Sequence, residues 1–371
     1  MKSRPRQGGR AMLRKLLSAA GLASLAAALT QAVPAAACGS LIAPNGSVRL
    51  THAATLVAWH DGVEHYLTNF SYAGNVPDVG YIIPLPAVPV EPVKEGGDWT
   101  LQRLFRETHP APLALDFFAA GHGKAAASSV DVLQQVQVKA LDITVLRGSG
   151  QAVIDWTASN HFVLDQETRE HLLAYAKGSP IFLAAKYDLS RARQQGLLFG
   201  DGTPVLITMK TAHPWIPLEV LAIDGQQTQA DLYLLTDQPL NTSALGAMVG
   251  QSAVGQEVPG APGLRMAFQE SMNASLFHDL STDKNMGWVP TSGWLSYLTL
   301  DAAPQNVTYD LSVTPMGVVK LAPFGTAPMA IVDGPGGGRA LNLPTAPVGT
   351  PLAILLVLLL AEGAFLVLRR S

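Results

Sequence analysis

The C-terminal end of the chain is an apolar block that suits a membrane helix. Residues 351–368 have the sequence PLAILLVLLLAEGAFLVL, and Arg369, Arg370 and Ser371 follow. At about 1.5 Å per helical residue the block is about 27 Å long, close to the roughly 30 Å hydrocarbon core of a bilayer. We therefore predict one transmembrane helix over residues 351–368 and a cytoplasmic tail at residues 369–371.

Glu362 is the charged residue inside this block. A carboxyl group within a membrane is costly and often marks a partner, so Glu362 is a candidate contact with another helix. The other interpretation is that its side chain extends toward the interface near Arg369, about 10 Å farther along the helix. In a third interpretation, the Gly-rich segment before the block, the helix itself and the two arginines form a sorting tag that is removed after export.

The N-terminus is typical of a secretory signal peptide. Before residue 16 there are six basic residues and no acidic one, and an apolar run over residues 16–29 is followed by small residues. This pattern predicts a signal peptide at residues 1–37 with cleavage near Ala37, and the alternative is an uncleaved membrane anchor. Since Arg369 and Arg370 favour the cytoplasmic side, the bulk of the chain is expected on the extracytoplasmic (periplasmic) side of a bacterial cell membrane.

Between the two ends, residues 38–322 form the predicted extracytoplasmic domain, called the body below. Of 25 basic residues, six precede position 16 and two follow position 368, which leaves 17. Of 28 acidic residues, Glu362 is inside the terminal block, which leaves 27, so the body carries a net charge of about −10. This charge argues against nucleic acid and against anionic lipid surfaces as partners.

Cys38 is the single cysteine, so no intramolecular disulfide can form. It directly follows the predicted cleavage site, where lipidation of the new N-terminal cysteine is one interpretation. Ala35 stands where such sites usually have leucine, and the alternative is an ordinary thiol near a cleaved end.

Local patterns in the body predict an α+β fold that is rich in strands and has a few helices. Asp61-Gly62 predicts a two-residue hairpin turn. Asp98 and Asp165 are predicted helix caps. Strands are expected at residues 48–60, 63–72, 81–83, 130–146, 181–187, 205–209, 218–223, 230–236, 295–300 and 307–313, and a third helix at 267–280.

The segments without such patterns are rich in glycine, proline and small residues. Residues 121–129 (GHGKAAASS) are typical of a loop or linker and mark where the body would divide if it holds two domains. Residues 323–350 are dense in proline and glycine, which favours a flexible stalk between the body and the membrane.

No sequence motif assigns catalytic, cofactor-binding or metal-binding residues. Across the hairpin turn, His60 and His65 are expected on one strand face with Glu64 on the other, which makes a poor zinc site and favours ordinary strand histidines. His171 lies one helical turn after Glu167, a spacing that usually indicates a solvated pair. Gly148-Ser149-Gly150 lacks the G-x-S-x-G frame of a nucleophile elbow and is interpreted as a turn.

Several stretches together resemble a bacterial family known as domain of unknown function 2330. The segment at residues 80–89 (GYIIPLPAVP) resembles its aromatic-apolar-Pro-x-Pro signature, and Cys38-Gly39 resembles a Cys-Gly pair whose usual second cysteine is absent here. Further matches, in order and reaching to residue 313, are 143–146 (ITVL), 153–156 (VIDW), 160–162 (NHF), 172–175 (LLAY), 217–218 (PL), 232–235 (LYLL), 294–298 (WLSYL) and 310–313 (DLSV). The resemblance implies an exported mixed domain, often with a C-terminal helix, and no activity or catalytic residue.

Two hypotheses about function follow from these observations. In the first, the body is a non-enzymatic binding or envelope-structural module without a cofactor, displayed on a stalk and binding an envelope protein. In the alternative, it is a membrane-tethered metal-dependent hydrolase, in which folding gathers some of the nine scattered histidines into a metal site.

Overall fold

The hairpin around Asp61-Gly62 is at the centre of the fold. The computed structural model describes residues 40–42, 49–73, 78–109, 131–197, 202–222, 227–242 and 254–323. Strands β2 (Arg49–His60) and β3 (Val63–Ala73) pair antiparallel, with His60 opposite Val63 and Ala58 opposite His65. Asp61 and Gly62 have φ values of 48° and 78°, the positive values that the tightest hairpin turn requires. The predicted two-residue turn is confirmed.

The described residues form fifteen strands and five α-helices in mixed order. The other strands are β1 (Ser40–Ile42), β4 (Asp78–Pro84), β5 (Lys94–Glu95), β6 (Asp131–Val138), β7 (Leu141–Arg147), β8 (Ile181–Asp188), β9 (Val205–Lys210), β10 (Trp215–Ile216), β11 (Thr228–Thr236), β12 (Leu264–Ser271), β13 (Trp294–Ala302), β14 (Tyr309–Val313) and β15 (Val319–Pro323). The helices are α1 (Thr100–Thr108), α2 (Gly150–Ser159), α3 (Gln166–Gly178), α4 (Leu189–Gln194) and α5 (Ala274–Thr282), with short 3-10 helices at Glu219–Leu221 and Pro304–Asn306.

The strands assemble into three sheets. The largest has seven strands in the order β12-β13-β11-β2-β3-β9-β5, and β11 runs parallel to β2 although about 175 residues separate them. A five-stranded antiparallel sheet has the order β1-β4-β8-β7-β6, and a three-stranded one has the order β10-β14-β15. The prediction of a strand-rich α+β fold is confirmed for these residues.

The central hairpin is buried on both faces, because successive side chains of a strand point to opposite sides. Leu56 packs in a cluster with Leu104 of α1 and Leu280 of α5. Val57, the next residue, belongs to the larger cluster that includes the five-stranded sheet. The seven-stranded sheet is therefore covered by helices on one side and by the five-stranded sheet on the other.

The two predicted helix caps have different outcomes. Asp165 caps α3 as predicted, and its Oδ1 accepts a hydrogen bond from the N–H of Thr168 at 2.7 Å. The prediction for Asp98 is wrong, because α1 begins at Thr100 and its N-cap residue is Trp99, whose side chain makes no capping hydrogen bond. The carboxylate of Asp283 accepts the N–H groups of Asp98 and Trp99, each at 3.0 Å.

Three other local predictions also need correction. Residues 218–223 contain the short 3-10 helix Glu219–Leu221 instead of a strand. The helix expected over residues 267–280 is divided between strand β12 and helix α5. Ser149 is the N-cap of α2, and its Oγ accepts the N–H of Ala152 at 3.3 Å.

Both chain ends lie outside the described residues. Those residues include no helix long and apolar enough to cross a membrane. The predicted signal peptide, the segment at 121–129, all of the predicted stalk after residue 323 and the predicted transmembrane helix at 351–368 lie outside them, and these stay predictions.

Candidate functional site

Helix α3, the 3-10 helix Glu219–Leu221 and the segment after β13 enclose a cleft of about 370 Å³, called the α3 cleft below. Its lining combines ionisable and apolar side chains, a mixture typical of small ligand sites. The lining residues are Glu167, His171, Glu219, Ala222, Pro304, Gln305, Val307 and Thr308.

Helix α3 carries three functional side chains on one face, at spacings of four residues. They run from solvent into the protein: Glu167 is exposed, the side chain of His171 is 19% exposed, and Tyr175 is fully buried. The predicted solvated pair of Glu167 and His171 therefore needs correction, because Nε2 of His171 lies 3.6 Å from Oε1 of Glu219.

Tyr175 and Asp310 form a buried hydrogen-bonded centre behind the α3 cleft. The Tyr175 hydroxyl donates to Oδ1 of Asp310 at 2.8 Å, and it accepts the N–H of Val220 at 3.1 Å. The same Oδ1 accepts the N–H groups of Leu218 at 2.9 Å and Glu219 at 3.3 Å. The first N–H groups of the 3-10 helix are thus bound by side chains from α3 and β14, which holds Glu219 at the cleft.

Two carboxyl groups here have raised pKa values. Burial raises the pKa of Glu219 to about 7. Burial also raises the pKa of Asp310 to about 7, against the lowering effect of its hydrogen bond from Tyr175. Burial lowers the pKa of His171, opposed by the charge of Glu167. Near neutral pH each carboxyl group can therefore gain or lose a proton at little cost.

Each of these carboxyl groups also has an oxygen without a hydrogen bond within the described part of the chain. They are Oε2 of Glu219 and Oδ2 of Asp310, and both atoms are buried. A buried acceptor without a donor costs about 1–3 kcal/mol. Because Glu219 lines the α3 cleft, a ligand with donor groups could remove this cost.

A second cleft, of about 610 Å³, lacks this feature. None of its lining residues has a buried side-chain nitrogen or oxygen atom without a hydrogen bond within the described part of the chain, and several are paired within the protein. Gln227 donates to Asp301 at 2.8 Å, the N–H of Gly263 donates to Glu257 at 2.5 Å, and Arg265 donates to the carbonyl oxygen of Gly255 at 2.8 Å. We therefore take the α3 cleft as the candidate functional site.

The histidines singled out in the sequence have different contacts in the structure. Nδ1 of His60 lies 2.5 Å from Oδ1 of Asp237. His65 stacks on Trp288 with ring centroids 3.8 Å apart, and burial lowers its pKa to about 4. Among the residues that the structure describes, no group of three or more His, Cys, Asp or Glu side chains could hold a metal ion.

A polar network that the sequence did not predict lies on the seven-stranded sheet. Asp231 accepts a hydrogen bond from the Tyr297 hydroxyl at 2.6 Å, and its Oδ2 lies 3.1 Å from Nε2 of His52. Burial raises the pKa of Asp231, but these two contacts outweigh burial and hold the pKa below its ordinary value. His109 packs edge-on against Tyr297.

The residues of the α3 cleft were only partly visible in the sequence. Glu167 and His171 were recognised as neighbours, but Glu219 and Asp310 were not identified. Asp310 left one signal: it is a charged residue inside the otherwise uncharged strand YDLSV, and acids are seldom fully buried without a partner. The remaining predicted positions, Ala37, Cys38 and Glu362, lie outside the described residues.

The fold and the site define a class: a strand-rich α+β domain with an acidic cleft between helix α3, a 3-10 helix and the segment after β13. The chain belongs to the bacterial family DUF2330, described as an uncharacterized protein conserved in bacteria, and the family model matches residues 32–256. This confirms the resemblance. Tyr175 and Glu219 lie within the match, whereas Asp310 and the stretches at 294–298 and 310–313 lie beyond it.

Other comparisons add little. No curated protein matches the chain. Among solved structures it is similar to the crystal structure of baculovirus P35, with 6% sequence identity and a TM-score of 0.32, over 77% of this chain and 94% of that chain. A likeness at this level carries no argument about fold or function.

Proposed function

We propose that this protein is an exported, membrane-tethered module that acts by binding a partner in the α3 cleft rather than by catalysis. In this proposal residues 1–37 direct export, residues 351–368 anchor the chain, and the body lies on the periplasmic side. The two terminal sequence patterns support this location.

One observation carries the proposal of binding: Glu219 lines the α3 cleft and has a buried carboxyl oxygen with no hydrogen-bond donor among the described residues. Unsatisfied polar atoms of this kind are rare in folded proteins, and a bound ligand is one way to satisfy them. The side chains behind Glu219 serve structure, because Tyr175 and Asp310 bind the backbone of the 3-10 helix. The alternative of a metal-dependent hydrolase has no supporting observation among the described residues.

A photo-crosslinking amino acid at Gln305 tests this proposal in cells. Gln305 is exposed and lines the α3 cleft. The matched control is the same amino acid at Arg106, which is exposed on α1, a helix of the other hydrophobic cluster. We expect an adduct with an envelope protein from position 305 and none from position 106. The same adducts from both positions, or none from position 305, would contradict binding in the cleft.

Protease treatment of cells without their outer membrane tests the location. We expect the body to be cleaved before the cells are lysed, because it lies outside the cytoplasmic membrane in this proposal. A cytoplasmic protein measured in the same samples serves as the control for leakage. Cleavage of the body only after lysis would contradict export and tethering.

A further inference from the structure

We propose that the α3 cleft binds the ammonium group of an organic amine, with Glu219 as its counter-ion. This inference rests on the proposed function and specifies the chemical class of the ligand.

The charge of the α3 cleft favours a cation. Its lining includes the acids Glu167 and Glu219, and no lysine or arginine is among the lining residues. Asp165 on the same helix adds negative potential near His171. Asp310, directly behind, interacts electrostatically with Glu219. A cation beside Glu219 would lower the cost of ionising both carboxyl groups.

The hydrogen-bonding groups of the cleft favour an ammonium ion among cations. An ammonium group has three donors, and one carboxyl oxygen of Glu219 has no donor among the residues that the structure describes. Hydrogen bonds between charged groups are roughly twice as strong as neutral ones. Metal cations in proteins need several ligands, and the described residues include no group of three or more that could supply them.

The walls of the cleft fit a short apolar chain attached to the ammonium group. Ala222, Pro304 and Val307 supply apolar surface beside Glu219. The volume of about 370 Å³ is at the small end of the range for ligand pockets. The ligand is therefore an amine with a short alkyl part, either a free small molecule or the end of a lysine side chain on a partner protein.

Ligand-observed NMR on the full-length chain in mild detergent tests the inference directly. The probe is butylammonium, and butanol is the uncharged control of similar shape. We expect saturation transfer to butylammonium that is at least tenfold stronger than to butanol at pH 8. Equal transfer to the two probes would overturn the inference, and this comparison needs no variant.

Glu219→Gln removes the counter-ion with little change in shape, and Glu170→Gln is the matched control. Glu170 is exposed on α3, and its carboxylate accepts a hydrogen bond from Gln166. We expect Glu219→Gln to weaken butylammonium binding at least tenfold and Glu170→Gln to change it less than twofold. Unchanged binding in Glu219→Gln would contradict the role of Glu219.

Binding should also depend on pH, because the ammonium ion needs an ionised Glu219. The titratable groups that face Glu219 are His171 from α3 and Asp310 from β14, and Tyr175 lies behind them. With the pKa of Glu219 at about 7, the apparent affinity should be about tenfold higher at pH 8 than at pH 6. Equal affinity at the two pH values would contradict the inference.

The two proposals can fail separately. If butylammonium does not bind but position 305 captures an envelope protein, the ammonium assignment is wrong and the proposed function stands. If butylammonium binds and also suppresses that adduct, the captured partner presents its amine in the α3 cleft. If neither is observed, both proposals fail.

Discussion

Tyr175 shows how one side chain joins elements that are distant in the sequence. Its hydroxyl donates to Asp310, 135 positions away, and accepts from the backbone of Val220, 45 positions away. It has no exposed surface, so water cannot replace these contacts. A buried group with several partners costs more to remove than its individual hydrogen bonds indicate.

Replacing Tyr175 with phenylalanine should destabilise the protein by about 1–3 kcal/mol, because the N–H of Val220 loses its acceptor in a buried place. The matched control is Tyr309→Phe, which removes one hydrogen bond to the carbonyl oxygen of Pro262, for about 1 kcal/mol. Urea unfolding of the full-length chain measures both values. A loss in Tyr175→Phe no larger than that in Tyr309→Phe would contradict the role assigned to Tyr175.

At the scale of elements, the backbone N–H groups at the start of two helices donate hydrogen bonds to carboxylates from remote parts of the chain. Asp283 accepts the N–H groups before α1, and Asp310 accepts those at the start of the 3-10 helix Glu219–Leu221. The first N–H groups of any helix lack partners within the helix, so each start needs an acceptor from elsewhere. These contacts fix the start of α1 relative to the end of α5, and the 3-10 helix relative to strand β14.

Asp283→Ala should cost about 2 kcal/mol or more, because it removes the acceptor for three backbone N–H groups and for the hydroxyl of Thr100. Asp98→Ala is the control, since Asp98 does not cap α1 and its 3.8 Å ion pair with Lys139 is weak because Lys139 also pairs with Glu95; we expect a change below about 1 kcal/mol. Urea unfolding of the full-length chain distinguishes them. Equal losses would contradict the role assigned to Asp283.

At the scale of the whole molecule, buried carboxyl groups make stability depend on pH. Burial raises the pKa of Glu64 to about 8, against a hydrogen bond from Thr211, and Glu219 and Asp310 reach about 7. In contrast, and despite burial, hydrogen bonds from Lys139 and Lys284 hold the pKa of Glu95 below its ordinary value. The three carboxyl groups with raised pKa values favour the folded state at low pH. Glu95, whose pKa is lowered, favours the folded state above its pKa in the unfolded chain.

Stability should therefore fall as the pH rises from about 5.5 to 8. Above its ordinary pKa of 4.5, Glu64 loses its proton in the unfolded chain but keeps it in the folded one up to about pH 8. The resulting slope is at most about −1.4 kcal/mol per pH unit for each such group. Urea unfolding of the full-length chain at several pH values measures it.

Glu64→Gln should make this decline less steep, because glutamine does not titrate. The slope is the readout, since a buried amide changes the absolute stability at all pH values. Asp61→Asn is the control: Asp61 is 88% exposed, and asparagine tolerates its positive φ. We expect its curve to run parallel to that of the unchanged protein. An unchanged slope in Glu64→Gln would show that Glu64 is not the proton-binding group.

Local features were predictable because their causes act over a few residues. The Asp61-Gly62 turn depends on two φ values, and the Asp165 cap depends on an N–H three residues later. The cap by Asp283 was not predictable, because the sequence near α1 offered Asp98 as a local candidate. The strand predicted at residues 218–223 was wrong because tertiary contacts to Asp310 favour a helical turn there.

By itself, the sequence determined the class of fold, the central hairpin, helix α3 and the family. Only the tertiary structure decided which chemical groups meet. Glu167 and His171 are neighbours on any α3 helix, but the packing of α3 against β14 and the 3-10 helix brings Glu219 to His171 and Asp310 to Tyr175. The physical reason is range: turns and caps act over a few residues, whereas a site depends on burial and on contacts between segments far apart in the chain.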